Sequence, residues 1–323
     1  MIPAFTYKNP QTVPEAVALL APTWGEAEVL AGGSDLLAAM KDQLVAPKTV
    51  VNIKGLKDLS TSNIVGGKLV LGANVTLAEL AELAPVNKHF PALAKAAKDL
   101  GSIQIRNVAT LGGNLCQRNR DWYYRNQLGP EVKENLAYGA IFPADGQSYV
   151  HPSTLAPVLI ALSATAQVVG PNGAKDVPIE KLFQVSDLKN KREVTLAPNE
   201  IITNVTIPIT EAKSAEIQVR ERQSHDWPLV QAAVALLVDN TGMVQKANII
   251  LGHVGPVPRR ATDAEKFLVG KKLDESLATE AGKQGAEGAQ PHATNEYKVQ
   301  LVRVAIKRAL LSAMGNDYWR GTP

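Results

Sequence analysis

The chain has 323 residues, a length that divides into two or three compact units. Hydrophobic residues make up 45% and charged residues 20%, and a net charge of +3 gives no electrostatic case for nucleic acid or a membrane surface. A single cysteine, Cys116, excludes an internal disulfide and an iron–sulfur cluster held by four thiolates of this chain, and five scattered histidines show no metal-site spacing.

The N-terminus, "MIPAFTYKNPQ", has no basic region leading into an apolar one, so no signal peptide is expected. "TVPEAVALLA" reads as a helix with Pro14 in its first turn. "AEVLAGG" is a short strand ending in Gly32-Gly33, "DLLAAMKDQL" has helical spacing, and "TVVNIKG" returns as a strand. A second unit brings the strand "KLVLGANV" and the helix "TLAELAEL", where Thr76 and Glu79 form a capping box. The helix "FPALAKAAKDL" follows, then "IRNVATLGGNL" with a second glycine pair, Gly112-Gly113. From Cys116 to Val150 the periodicity is weak, as in a long functional loop. "HPSTLAPVLIALSA" is a helix in which Pro157 imposes a late start or a bend, and "AQVVGPNGAKDVPI" is a hairpin. "NEIITNVTIPI" is a strand. Beyond Thr210, three strands ("EIQVRERQ", "VQAAVALLVD", "VQKANIILGHV") precede helices only, which marks a separate α+β domain.

The glycine pairs are the candidate binding elements, or two unrelated turns. A glycine turn before a helix exposes successive N–H groups, and with the helix N-terminus it attracts phosphate. "AGGSDLL" has that order, with Ser34 as an added hydroxyl, although it is neither GxGxxG nor a P-loop. The same residues also suit a plain strand-to-helix turn capped by Ser34 or Asp35.

Four ordered segments resemble the FAD-binding subunit of the molybdenum hydroxylases, the xanthine dehydrogenase family. "AGGSDLL" resembles its AGGTDLL segment, and "IRNVATLGGNL" its IRN-x-ATxGGN segment. "RERQSHDWPLVQAAVAL" and "LGHVGPVPRRA" resemble two motifs of its C-terminal domain. The resemblance spans nearly the whole chain. It implies an α+β protein: a vanillyl-alcohol-oxidase/PCMH-type FAD fold of two α/β subdomains (1–56 and 57–210), then an α+β domain (211–323) with a three-stranded antiparallel sheet. It implies that Ala31, Gly32, Gly33, Ser34 and Asp35 wrap the FAD diphosphate, with Leu30 and Leu36 flanking. It places Ala109, Thr110, Gly112, Gly113 and Asn114 near the flavin and its ribityl–phosphate chain.

Three departures stand out. Thr154 replaces an acid that often contacts the cofactor, and Gln218 replaces a lysine near the flavin. Loss of that cation implies a lower flavin potential, which Gln218→Lys should raise in a redox titration. "CQRNRDWYYRN" resembles the loop of the 4-hydroxybenzoyl-CoA reductase branch, which binds an extra [4Fe–4S] cluster. Here Asp121 stands at the first cluster cysteine and the later ones are missing, so a cluster-free loop is expected. Cys116 reads as a packed side chain. Arg118, Arg120 and Arg125 read as a solvated set or a small basic patch for a nucleotide or a partner, His151 as a helix-start residue, and the His225–Asp226 stretch as a turn before a strand in preference to a catalytic pair.

The function implied is an oxidoreductase's FAD-binding electron-transfer subunit. A molybdopterin-binding large subunit and a [2Fe–2S] small subunit would be its partners, with NAD or another molecule as acceptor. No catalytic acid or base and no metal ligand is expected on this chain, and the compartment expected is the cytoplasm, with export of a folded complex left open. The rival readings are a stand-alone FAD-dependent oxidoreductase of the same fold and an assembly subunit without flavin.

Overall fold

The computed structural model describes residues 2–127, 138–187, 192–317 and 319. Its first lobe is a three-stranded parallel sheet in the order β1-β3-β2. The elements are β1 (Thr6–Lys8), α1 (Val13–Ala18), β2 (Ala27–Leu30), α2 (Leu36–Lys41) and β3 (Thr49–Asn52). Parallel neighbours need a crossover, and α2 supplies it between β2 and β3, which pair from Ala27↔Thr49 to Leu30↔Asn52. Thr12 caps α1 by accepting from the Glu15 amide, and Pro14 sits where a helix needs no N–H. Ala16, Val17, Leu20, Val51 and Ile53 form this lobe's core.

The second lobe opens with the hairpin β4 (Ser62–Val65) and β5 (Lys68–Gly72). Seven short helices follow: α3 (Leu77–Glu82), α4 (Ala84–His89), α5 (Pro91–Asp99), α6 (Ile103–Val108), α7 (Leu111–Cys116), α8 (Trp122–Arg125) and α9 (Leu155–Ala161). Strands β6 (Thr165–Gly170), β7 (Gly173–Pro178) and β8 (Ile201–Pro208) complete an antiparallel five-stranded sheet, ordered β4-β5-β8-β6-β7. The Thr76–Glu79 capping box is present at the start of α3. α9 starts late within "HPSTLAPVLIALSA", as Pro157 requires. It begins at Leu155, so Pro157 falls in the first turn, where its missing amide costs no hydrogen bond.

The remaining sheet has β9 (Lys213–Val219), β10 (Val230–Val238), β11 (Val244–Gly252) and β12 (Arg259–Arg260), ordered β12-β11-β10-β9. The three-stranded sheet expected from the sequence is therefore four-stranded. The extra strand pairs only at Ile250↔Arg260 and Leu251↔Arg259, too short to leave a periodic signal. Helices α10 (Thr262–Leu268), α11 (Glu275–Gly285) and α12 (Tyr297–Ala313) cover the sheet. α12 turns Val302, Ile306, Ala309 and Leu310 inward at helical spacing. Full burial stabilises each larger side chain by about 2 kcal/mol. Among the described residues, no helix is long and apolar enough to cross a membrane, and no cluster of side chains could hold a metal ion.

Candidate cofactor site

A cleft of about 440 Å³ runs between the two lobes and reaches the C-terminal domain. Ala31, Gly32, Gly33, Ser34, Asp35 and Leu36 form one wall. Ala109, Thr110, Gly112, Gly113 and Asn114 form another, and Thr154 and Gln218 also line it. Of the residues expected from the sequence to hold the cofactor, only Leu30 does not line it. It ends β2 beneath the turn, and its Cδ1 would lie 3.2 Å from a Cβ at position 33.

The two glycine pairs differ physically. Gly33 has φ +76°, a left-handed turn that only glycine adopts cheaply. The N–H groups of Gly32, Gly33, Ser34 and Asp35 donate to no acceptor among the described residues. Exposed amides just ahead of α2 are an anion cradle. Asp35 stands at the N-cap of α2 without a side-chain cap bond. The second pair is not a turn. Gly112 and Gly113 lie inside α7, capped by Thr110, whose Oγ1 accepts from the Gly113 amide at 3.1 Å. Gly112 donates to the Ala73 carbonyl at 2.8 Å, and a Cβ there would lie 2.9 Å from the Ala73 Cβ. These glycines let a helix start against the end of β5, and their own amides are already used. The lobes meet where a Cβ on Gly32 would stand 1.9 Å from the Val108 carbonyl oxygen. Gly32 is thus required by the approach of one backbone to another.

Asn114 and Thr154 are buried and meet around Ser153. Ser153 Oγ donates to Asn114 Oδ1 at 2.7 Å and accepts from the Ala156 amide at 3.0 Å. The Asn114 oxygen is therefore committed to the start of α9.

The arginines of the loop are not solvated, contrary to the sequence reading. Asp35 accepts from the Arg118 amide at 2.7 Å and pairs with Arg120 at 2.8 Å and Arg125 at 2.9 Å. Arg118 pairs with the buried Glu193 at 2.9 Å, and the Asn119 amide donates to the same carboxylate at 2.9 Å. Arg120 also lies over the Trp227 ring, 5.4 Å from its centre. Burial pulls the Arg120 guanidinium below its ordinary pKa, against the pull of Asp35. Asp121, at the expected cluster position, accepts from the Tyr124 amide at 3.0 Å and caps α8. Residues 117–127 thus form an ion-paired strap whose Gln117, Arg118 and Arg120 line the cleft. Residues 128–137 of the loop lie outside the described residues.

Cys116 lines the cleft half-buried, and burial pushes its thiol up to about 12, so it carries no thiolate. His151 precedes α9 instead of starting it. Its Nδ1 accepts from the Ser153 amide at 3.3 Å, and burial lowers it to about 3. Asp226 binds the amides of Glu221, Arg222 and Trp227, which makes 221–227 a turn built on one carboxylate.

Sequence reasoning missed Asn74, which also lines the cleft. Its Nδ2 donates to the Ile53 carbonyl at 2.7 Å, joining the lobes, while its buried Oδ1 has no partner among the described residues. A polar residue in the apolar run "LVLGANV" was the available signal. Trp24 and Arg192 were missed as well. They face each other at 4.6 Å on the same cleft, 168 positions apart in the chain, and Arg192 pairs with Glu28.

Free amides ahead of a helix, an orphaned amide oxygen and a long, partly apolar trough are the features a dinucleotide needs. The family model described as "FAD binding domain in molybdopterin dehydrogenase" matches residues 3–210. The one described as "CO dehydrogenase flavoprotein C-terminal domain" matches residues 215–313. The chain belongs to this family, and it is the FAD-binding component of an oxidoreductase. It is 28% identical over 316 residues to the nicotine 6-hydroxylase medium subunit of Paenarthrobacter nicotinovorans, covering 97% of this chain and 98% of that one. It is 26% identical to the carbon monoxide dehydrogenase medium chain of Hydrogenophaga pseudoflava, covering 96% and 97%. A chain of quinoline 2-oxidoreductase from Pseudomonas putida 86 superposes with a TM-score of 0.78 at 26% identity, covering 98% and 100%.

Proposed function

We propose that this chain carries FAD in the inter-lobe cleft and relays electrons between [2Fe–2S] clusters of a small partner subunit and an external acceptor. A large molybdopterin-binding partner would perform the substrate chemistry, and NAD or another molecule would take the electrons. The observation that supports this most is convergence: residues about 80, 120 and 180 positions beyond the first glycine pair line the same trough. FAD would supply a ring system that accepts and donates electrons singly or in pairs. The amides of Gly32, Gly33, Ser34 and Asp35 would hold the diphosphate. Ala109, Thr110, Asn114, Thr154 and Gln218 would line the rest of the cofactor, with Leu36 at the start of α2 and Gly112 and Gly113 allowing the close approach. No proton transfer by a side chain is required for such a relay.

We further propose the division into 1–56, 57–210 and 211–323 as two flavin lobes and a C-terminal domain. The strap belongs, in this reading, to the loop type of the 4-hydroxybenzoyl-CoA reductase branch, with ion pairs in place of the cluster. Purification without an affinity step on any partner tests the function. Flavin bands, with two further chains and iron absorbance in the same complex, are the expected result. A chain that stays alone and turns over a substrate with its own flavin contradicts the subunit reading. A chain that takes up no flavin contradicts the cofactor assignment.

A further inference from the structure

Behind the cleft wall at Gln218 lies a carboxylate with no exposed side-chain surface, that of Glu216. Strand alternation puts both residues on one face of β9. Gln218 Nε2 donates to Glu216 Oε1 at 3.3 Å. Gln231, directly opposite Gln218 on β10, donates from Nε2 to Glu216 Oε2 at 3.3 Å and to the Thr154 carbonyl at 3.0 Å. From α5, Lys95 Nζ reaches Glu216 Oε1 at 2.7 Å and Asp99 Oδ2 at 2.7 Å. Arg220 donates to the Asp99 carbonyl at 2.7 Å. One buried carboxylate therefore connects Gln218, Thr154 and, through Lys95, Asp99, and all three line the cleft.

A buried carboxylate is expensive, and here it satisfies two glutamines and a lysine drawn from three elements. Burial pulls Lys95 down, but Glu216 and Asp99 outweigh it and raise it above its ordinary value, so the ammonium stays charged. Gln231 Oε1 is left buried without a partner among the described residues. The side chain is held for what its N–H groups do.

We propose that Glu216, balanced by Lys95, is the positioning residue of this end of the cleft: it fixes the Gln218 carboxamide and sets the local field in which the flavin is reduced. This rests on the flavin reading above. Reduction adds negative charge to the ring system. Glu216 opposes it and Lys95 favours it, and the lysine so compensates from behind the wall for the uncharged Gln218. With its Nε2 turned toward Glu216, Gln218 presents its amide oxygen to the cleft.

The test is an equilibrium reduction of the flavin-loaded protein against a reference dye. Glu216→Gln should shift the equilibrium about tenfold toward reduced flavin, and Lys95→Met about tenfold the other way. The double variant should return close to wild type. Should Glu216→Gln fail to fold, Lys95→Met, at a one-third exposed position, decides alone. Flavin bound in every variant with the equilibria unchanged overturns this proposal and leaves the flavin reading standing. Absence of flavin uptake by the wild-type chain removes the flavin reading, and this proposal with it.

Discussion

A methyl group at position 32 would meet the Val108 carbonyl oxygen at 1.9 Å, so Gly32→Ala must push the two lobes apart. Overpacking against backbone is destabilising, and we expect a loss of about 3 kcal/mol. Thermal unfolding checks it, with Gly55→Ala as the control, where a Cβ meets nothing within 4 Å and, as at Gly32, φ is not positive. Buried histidines give a second prediction at this scale. Burial lowers His151 to about 3, and burial with the nearby Lys298 charge lowers His253 to about 3. Unfolding lets both bind protons near pH 6.5, so the unfolded chain holds more protons between pH 6.5 and 3. Stability from these groups is complete above pH 6.5 and falls on acidification, by about 2 kcal/mol each on reaching pH 5. Urea unfolding at pH 6.5 and 5.0 measures this, and His151→Asn with His253→Asn should flatten the difference. Lys298 acts in the same direction at higher pH. Burial brings it to about 7, against three carbonyl oxygens at 2.9–3.2 Å that favour its charge. Stability should therefore rise from pH 7 to 10.5 in the wild type and less in Lys298→Met.

The strap over 117–127 is held mainly from outside itself, by Asp35 and Glu193. Asp35→Asn leaves two guanidinium groups short of their carboxylate, which we expect to cost about 2 kcal/mol. Limited proteolysis should then cut within 117–127 while the C-terminal domain stays intact, and flavin should dissociate faster. Equal resistance in wild type and variant would show that the arginines do not hold the strap. This element also marks where sequence reading ran out. "RNRDWYYR" shows three arginines but not their acids, which lie about 80 positions before and 70 after in the chain. "ATLGGN" shows a glycine pair, yet not that Thr110 caps a helix there, because two glycines are poor helix formers and only contact with Ala73 selects that conformation. The first pair was legible because a turn before a helix is a local property, fixed by Gly33 and the start of α2.

At the scale of the molecule, the alternation of short strands and helices, followed by strands and then helices, revealed the two α/β lobes and the α+β domain. Trp24 and Arg192 were not legible, since each joins the cleft only after the lobes dock, and Asn74 showed only as a polar residue in an apolar run. The Lys95–Glu216 pair spans 121 positions and carries no local signal. In the proposed function the amides of Gly32, Gly33, Ser34 and Asp35 anchor the cofactor's diphosphate. A crystal structure of the FAD-loaded protein tests that most directly. The expected result is diphosphate oxygens within hydrogen-bond distance of those amides and the flavin ring toward Gln218. A nucleotide seated elsewhere, with those four amides facing only water, would contradict it.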